Sequence, residues 1–280
     1  MRREGGLSHW LGRALLLAYG IVIVLPLAWV LVSSVKKGAD ILASPWTLPA
    51  SPQWQNYVNA WADPQRPLGP AFVNSMVVSV FTLLFLLPIG AMAAYVFAKY
   101  PFRGSKLLFG LFLGGMMFPQ FLTIVPLFKL MQSMHLLNTM SGLVIVYIAY
   151  SLSFTVFVLH GFFEALPNEL MEAAAIDGCT DHATFWKVML PLAKPGLIVV
   201  AIFNAIGFWN EYSLALVLYS HGGQTTLPVR IADMATARQY QSDWGALFAG
   251  IVIVVVPILV VYWLFKDRIQ QAMTAGAVKG

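Results

Sequence analysis

The sequence predicts an all-α membrane protein, a polytopic bundle of six transmembrane helices. Of its 280 residues, 59% are apolar and only 10% are charged, whereas a soluble domain averages about 25% charged residues. So few charged residues cannot cover the surface of a water-soluble protein of this length. The composition therefore argues against a cytosolic enzyme, a disordered chain and a nucleic-acid-binding protein. Long uncharged stretches recur along the chain and are continuously apolar. Membrane β-strands would instead alternate in polarity over about 10 residues.

Six stretches are long enough to cross a membrane, because a spanning helix needs about 20 mostly apolar residues. The fourth lies in an uncharged stretch, 130–163, which is long enough for one span plus a loop and leaves open a division into re-entrant pieces. The predicted spans are residues 14–35, 71–98, 107–128, 137–160, 196–219 and 244–265.

The basic residues predict that both termini are cytoplasmic. With that orientation, eleven of the 17 Lys and Arg residues fall in inner segments and six in outer segments. The short connection between the second and third spans carries Lys99, Arg103 and Lys106 without an acidic residue. Positive charge concentrates in cytoplasmic loops, so this connection is expected inside.

The two long outer connections differ from each other in composition. Residues 36–70 are rich in Trp and Pro, and Trp is enriched at membrane interfaces, so this connection is expected to pack over the outer mouth of the bundle. Residues 220–243 are polar, with Gly222 and Gly223 as a flexible point. This second connection could reach toward an external partner.

The connection between spans four and five, residues 164–191, is expected to begin with a short amphipathic helix. Asn168 is a suitable N-cap, and Glu169 and Glu172 follow in the first turns, where the helix dipole favours acidic groups. Gly178 is placed to end this helix, because glycine adopts the left-handed conformation at low cost. Leu170, Ala173 and Ala174 are expected on one face.

A second short helix is expected after the glycine. Thr180 or Asp181 can cap it, Phe185 and Met189 lie on its apolar face, and Pro191 is expected to end it. Two amphipathic helices joined by a glycine turn suit docking in a groove of another protein. The alternative, a hairpin that only covers the floor of the bundle, stays open from composition alone.

The spacing in this connection resembles the EAA loop of ABC importer permeases. The pattern is Glu172-Ala173-Ala174, Gly178 after three further residues, and Leu190-Pro191. Val188 stands where the family usually has isoleucine. In that family the loop is a coupling helix that seats in a cleft of the ATP-hydrolysing subunit. The resemblance therefore assigns ATPase coupling to Glu169, Glu172, Ala173, Ala174, Asp177, Gly178, Leu190 and Pro191.

Further segments narrow the resemblance to carbohydrate importers of the maltose-permease type. These segments are residues 91–95, 119–126, 209–211 and the tail 274–280, and the similarity extends over residues 14–280. The resemblance implies transport of a sugar across a bacterial or archaeal cytoplasmic membrane. It also implies a second homologous permease subunit, an ATP-binding cassette ATPase dimer and an external solute-binding lipoprotein. In that family the tail reaches the ATPase dimer, so residues 274–280 are expected to form a second contact with it.

The chain itself is expected to be neither an enzyme nor a cofactor-binding protein. It has no G-x-x-x-x-G-K-[ST] phosphate loop, no H-E-x-x-H and no G-x-S-x-G. The five histidines are scattered, and the single cysteine excludes an internal disulfide. No catalytic or metal-binding residue is therefore predicted, and ATP and Mg²⁺ would be used by the partner ATPase.

A solute path is expected near the outer end of the fifth span, where polar residues and aromatic residues lie together. Intramembrane ionisable residues usually face a cavity, and Glu211 lies about 22 Å along the helix from Gly196, at about 1.5 Å per residue. Glu211 could line the path, pair with an arginine or be a structural residue near the interface. The candidate path residues are Asn204, Trp209, Asn210, Glu211 and Tyr212.

Two other functions were weighed against the importer permease. A lone secondary carrier would need inverted repeats and intramembrane groups that couple to ions, and the sequence shows no clear repeat. An intramembrane enzyme would need a cluster of acid, base or metal ligands, and only Glu211 is available within the spans. Neither alternative explains the spaced pattern from Glu172 to Pro191.

Overall fold

A computed structural model describes residues 6–220, 224–241 and 243–277. In the described part every regular element is a helix, which confirms the prediction of an all-helical membrane protein. The helices are α1 Gly6–Ser34, α2 Gly38–Ala43, α3 Gln55–Trp61, α4 Leu68–Lys99, α5 Ser105–Met116, α6 Gln120–Ser133, α7 Met140–Glu164, α8 Glu169–Ile176, α9 Asp181–Thr184, α10 Leu190–Leu192, α11 Lys194–Asn210, α12 Ser213–Leu218, α13 Leu227–Gln241 and α14 Trp244–Ala277. A π-helical turn, Phe185–Met189, joins α9 to α10.

Four of these helices, α1, α4, α7 and α14, are long and apolar enough to cross a membrane. Two bent pairs would raise the number to six if each pair is one span. The first pair is α5 with α6, bent by 102°, and the second is the Asp181–Leu192 segment with α11, bent by 73°. The four continuous helices overlap the predicted first, second, fourth and sixth spans.

The chain divides into two units, each with its own internal contacts. The first contains Met1–Gly69 and Arg230–Pro257, and the second contains Pro70–Val229 and Ile258–Gly280. In the first unit the apolar part of α1 has no buried residue. Beyond its end, the Asn56 side chain donates to the main-chain oxygens of Ser34, at 2.9 Å, and Lys36, at 2.8 Å. The segment after α1 is therefore folded back onto the helix end.

A buried lysine organises the segment that follows α1 in this first unit. The Lys36 side chain is only 1% exposed. Its ammonium donates to the carbonyl oxygen of Ser44, at 2.6 Å, and more weakly to Pro45 O and the Thr47 hydroxyl, both at 3.4 Å. The Trp29 indole N–H also donates to Pro45 O, at 3.0 Å. Since a buried charge must be solvated by polar partners, Lys36 fixes the turn at residues 44–47.

The second unit is built around α4, α7 and α11. One apolar cluster surrounds Tyr147, whose ring stacks on Phe208 with centroids 5.3 Å apart. Another surrounds Tyr95, Phe163 and Phe185, where α4 and α7 meet residues 164–191. The helices approach closely at Gly196, because a Cβ there would lie 2.5 Å from the Phe162 ring.

The third predicted span, residues 107–128, is not one continuous helix. The α5 helix ends at Met116 and α6 begins at Gln120, with Pro119 as its extended N-cap. Proline cannot donate the hydrogen bond that would continue α5 and disfavours helical geometry in the residue before it. Pro126 lies inside α6 without ending it.

The fifth predicted span, residues 196–219, is also interrupted. The α11 helix ends at Asn210, the backbone of Glu211 is extended, and α12 begins at Ser213. Residues 208–213 contain no proline or glycine that would mark a helix end. The cause of the break lies in tertiary contacts of Glu211.

Candidate functional site

Residues 164–191 fold as the two predicted helices joined by a glycine turn. The α8 helix closes in a Schellman motif, in which Gly178 N–H donates to Ala175 O, at 3.0 Å, and Cys179 N–H donates to Ala174 O, at 2.9 Å. Gly178 has φ +81°. The Thr180 hydroxyl caps α9 by accepting from Ala183 N–H, at 3.3 Å. Of the two predicted caps, Thr180 is the residue used.

Of two local predictions for this segment, one is confirmed in position only and the other is wrong. Asn168 occupies the N-cap position of α8, but its side chain makes no cap hydrogen bond, because it accepts from Lys99 Nζ instead, at 2.8 Å. Pro191 does not end the second helix. It lies in the first turn of α10, where its missing N–H needs no helical partner, and the chain continues to Leu192.

The predicted coupling residues divide between an outward and an inward face. Ala174 is buried and Leu190 is half-buried, whereas Ala173 is exposed, against the prediction that it shares the inner face with Ala174. Sequence reasoning missed Ile176, whose side chain is 87% exposed at the end of α8. The outward residues are Glu169, Glu172, Ala173, Asp177, Gly178 and Pro191.

The outward face of α8 combines acidic groups with an exposed apolar side chain. Glu172 and Asp177 flank Ile176, and neither carboxylate forms an ion pair with any other residue in the described part of the chain. An exposed isoleucine between unpaired carboxylates can dock in an apolar cleft that has a basic rim.

An aromatic cluster attaches this segment to α4 and α7. The ring of buried Phe185 lies 5.1 Å from Tyr95 of α4, and Tyr95 lies 5.4 Å from Phe163 of α7. Met189, one turn further along, is fully buried in the same cluster. Ring pairs at such distances add stabilisation beyond their buried area, so this cluster anchors the segment to the ends of α4 and α7.

Two polar contacts from the end of α4 hold both short helices. Lys99 Nζ donates to Leu166 O and to Asn168 just before α8, and the Tyr100 hydroxyl donates to Asp181 of α9, at 3.1 Å. Burial, followed by hydrogen bonding to Tyr95 and Asp181, raises the pKa of Tyr100, so the phenol remains a donor. Sequence reasoning used Lys99 only for orientation and missed both roles, because the partners are 67 to 81 residues away.

The second candidate region is the break between α11 and α12. The Glu211 carboxylate accepts four hydrogen bonds, two from the backbone N–H groups of Leu214 and Ala215 and two from the side chains of Gln120 and Tyr147. All four donors are neutral, so the arginine considered as a partner is not among these contacts. The structure thus gives Glu211 a role in capping and bracing α12.

The other path candidates differ in exposure. Asn204 and Trp209 are both 6% exposed. The Asn204 amide donates to the Thr155 hydroxyl, at 3.1 Å, and the Trp209 ring packs edge-on against Phe72. Asn210 and Tyr212, on either side of Glu211, are exposed. These two are the most exposed of the five candidates, and Glu211 between them is half-buried.

Two predicted regions extend beyond the residues that the structure describes. Gly222 and Gly223 lie outside the described residues. So does the end of the 274–280 tail, because the described chain stops at Ala277. Within the described part, no group of three or more His, Cys, Asp or Glu residues is arranged to hold a metal ion.

Comparison with known proteins gives a consistent result. Residues 86–273 match the family described as binding-protein-dependent transport system inner membrane component. The diacetylchitobiose uptake system permease protein of Streptomyces coelicolor is 43% identical over 278 residues, which cover 99% of this chain and 90% of that protein. The trehalose transport system permease protein of Mycobacterium tuberculosis is 34% identical, over 92% of this chain and 93% of that protein.

The fold also matches a solved structure. A bacterial ABC transporter involved in import of the acidic polysaccharide alginate contains a chain that superimposes with a TM-score of 0.84. The two chains share 24% sequence identity, and the match covers 95% of this chain and 98% of the other. At that identity the likeness establishes the fold.

Proposed function

Because this chain belongs to the family of binding-protein-dependent transport system inner membrane components, we propose that it is the permease subunit of an ATP-driven sugar importer. The observation that carries the proposal is the 43% identity over almost the whole chain with a diacetylchitobiose uptake permease. A trehalose permease related over similar length supports an oligosaccharide as the solute class.

In the proposed topology the chain crosses a bacterial or archaeal cytoplasmic membrane six times, with both termini inside. In this topology α5 with α6 forms one span, and α11 belongs to another. The proposal is supported by the cluster of Lys99, Arg103 and Lys106 in one short connection. Residues 164–191 lie on the cytoplasmic side in this arrangement.

The partner on that side is an ATP-binding cassette ATPase dimer, which uses ATP and Mg²⁺. Its cleft would receive the outward face of α8, with Ile176 as the apolar anchor and Glu172 and Asp177 against basic groups. A second homologous permease completes the membrane part. The family description names dependence on a binding protein. In this proposal that partner is an external solute-binding lipoprotein, which delivers the sugar.

This subunit would act by changing its conformation and would catalyse no reaction itself. Closure of the ATPase dimer would displace α8 and α9. The Lys99 and Tyr100 contacts carry that displacement to α4, and the Phe185–Phe163 contact carries it to α7. Because Phe163 and Phe185 are buried and hydrogen bonds join both short helices to the end of α4, the short helices and the two spans would move together.

The proposed solute path passes the break between α11 and α12. Asn210 offers an amide and Tyr212 an aromatic ring, and sugars are bound by hydrogen bonds together with stacking. Asn204, Trp209 and Glu211 would form the wall behind them. Sugar specificity would then depend on this wall, on the second permease and on the binding protein.

Affinity purification of the tagged chain from its native membrane in mild detergent, followed by mass spectrometry, tests the proposal. We expect a second permease and an ATPase in stoichiometric amounts. The variant Ile176→Asp should lose the ATPase while keeping the second permease, whereas Ile89→Asn, a change on the exposed membrane face of α4, should keep the ATPase. A wild-type chain that purifies alone and transports after reconstitution would contradict the importer function.

A further inference from the structure

We infer that Glu211 is a positioning residue, whose carboxylate locks the short helix α12 to α6 and α7 and so fixes the break beside Asn210 and Tyr212. The inference rests on the proposed transport function for its activity readout. Its structural part, that Glu211 holds α12 to α6 and α7, rests on the hydrogen bonds of Glu211 alone. This set of hydrogen bonds is called the lock.

The carboxylate first caps α12. Oε1 accepts from Leu214 N–H, at 2.7 Å, and Oε2 accepts from Ala215 N–H, at 3.0 Å. The first N–H groups of a helix have no partner within the helix and carry partial positive charge, so a carboxylate is the favoured acceptor there. Glu211 therefore makes it favourable to stop α11 and start a new helix.

The same two oxygens also bind side chains from two other helices. Gln120, the first residue of α6, donates to Oε1, at 3.2 Å, and Tyr147 of α7 donates to Oε2, at 2.7 Å. Each oxygen thus accepts one backbone and one side-chain hydrogen bond. The four donors occupy the acceptor positions of this carboxylate. The carboxylate therefore holds protein segments together and does not need a solute as a partner.

The far end of α12 is held to the same neighbourhood. Asn138 N–H, between α6 and α7, donates to Leu218 O, at 2.8 Å, and the Asn138 side chain accepts from Ser220 N–H, at 3.3 Å. Between these ends Leu214, Ala215 and Leu218 are buried. With α12 fixed at both ends, the position of Tyr212 depends on the lock at Glu211.

A carboxylate suits this position because each of its oxygens accepts from a backbone N–H, which can only donate. In Glu211→Gln one acceptor oxygen becomes an NH₂ group, which would face the backbone N–H of Leu214 or Ala215 and leave it without its acceptor. The change preserves size and removes the charge. In Tyr147→Phe one of the four donors is lost while the buried ring and its stacking on Phe208 remain. Glu211→Gln thus removes an acceptor and Tyr147→Phe removes a donor, so both variants weaken the same set of hydrogen bonds.

The geometric test uses single-cysteine chains in the assembled importer, with Cys179→Ala and Tyr212→Cys. The rate at which a membrane-impermeant maleimide labels position 212 from the outer side is measured in right-side-out vesicles. We expect Glu211→Gln and Tyr147→Phe each to change this rate at least fivefold, because the lock sets the position of residue 212. Tyr150→Phe is the matched control, since the hydroxyl of this exposed tyrosine of α7 forms no hydrogen bond with the residues that the structure describes.

The transport test uses proteoliposomes of the importer with native Tyr212, and follows uptake of the sugar that its binding protein carries. Glu211→Gln and Tyr147→Phe should each lower the maximal rate about tenfold, as expected for loss of a hydrogen bond to a charged group. The double variant should be no worse than the more severe single one, because both act on one lock. Glu211→Asp, which keeps the charge, should recover part of the rate.

Three results would overturn the inference. Unchanged labelling in Glu211→Gln with collapsed uptake would make Glu211 a direct solute contact. Unchanged labelling and uptake in Tyr147→Phe would show that no lock operates, even if Glu211→Gln fails to assemble. Additive losses of uptake rate in the double variant would show that Glu211 and Tyr147 act independently of each other. Labelling of position 212 does not depend on a solute. Failure of wild-type uptake or of ATPase co-purification would therefore count against the importer function and not against the positioning role of Glu211.

Discussion

Gly178 is the residue at which the backbone turns between α8 and α9. Its φ of +81° belongs to the left-handed region, and a Cβ added there would meet no atom within 4 Å. The requirement for glycine is therefore conformational and does not come from packing. Because the turn sets the angle between the two short helices, the residue controls the shape of the proposed ATPase contact.

We expect Gly178→Val to uncouple transport from ATP hydrolysis while the protein remains in the membrane. A β-branched residue in the left-handed region costs at least about 1–2 kcal/mol, which opens the Schellman motif that includes Cys179 N–H. The measurement is sugar uptake and ATPase activity of the reconstituted importer.

Gly104 provides the matched control for this prediction. It precedes α5, has φ +91° and also has open space around an added Cβ. Gly104→Val should strain its own turn and leave coupling near the wild-type value. Wild-type uptake in Gly178→Val, or equal uncoupling in both variants, would count against a specific role of Gly178.

At the scale of elements, the sequence could predict structure where the determinant is local. Apolar length identified α1, α4, α7 and α14, and Gly178 and Thr180 marked the ends of short helices. The interruption at Glu211 could not be predicted, because its side-chain partners lie 64 and 91 residues away. The roles of Lys99 and Tyr100 were missed for the same reason, since both depend on which helix ends meet in the fold.

The segment after α1 offers a separate test at this scale. Lys36→Met should loosen residues 44–47, because the Ser44 and Pro45 carbonyls lose the ammonium donor. Hydrogen exchange of this segment in the purified protein should rise at least tenfold, in line with the roughly 1.5–3 kcal/mol of a charged hydrogen bond. Lys37→Met, at the adjacent exposed lysine, should leave exchange unchanged. Equal protection in the two variants would show that Lys36 does not fix the turn.

At the scale of the whole molecule, α1 has no buried residue in its apolar part, so its own chain does not cover it. A membrane supplies an apolar surrounding for such a helix. The fold alone does not fix the direction in which the chain enters the membrane, because residues 164–191 would be equally well formed on either side. The orientation therefore needs a chemical measurement.

The single cysteine of the chain, Cys179, is half-buried beside Gly178 and reports the side on which the loop lies. A membrane-impermeant maleimide should label Cys179 in inverted vesicles stripped of peripheral ATPase and not in right-side-out vesicles. Adding the ATPase back should slow the labelling at least fivefold. Labelling from the outer side would contradict the proposed orientation, and labelling unaffected by ATPase would contradict the docking of α8.

The contacts of Glu211 have a consequence for how the chain is made. A carboxylate within a membrane segment opposes insertion by roughly 2.5–3.5 kcal/mol. Gln120 and Tyr147 precede Glu211 in the chain, so ribosomal synthesis places both donors in the membrane before the acidic segment emerges. The order of these elements along the polypeptide thus allows Glu211 to find both side-chain donors already inserted. A circular permutation that placed α11 first would leave the carboxylate without Gln120 and Tyr147 during biogenesis.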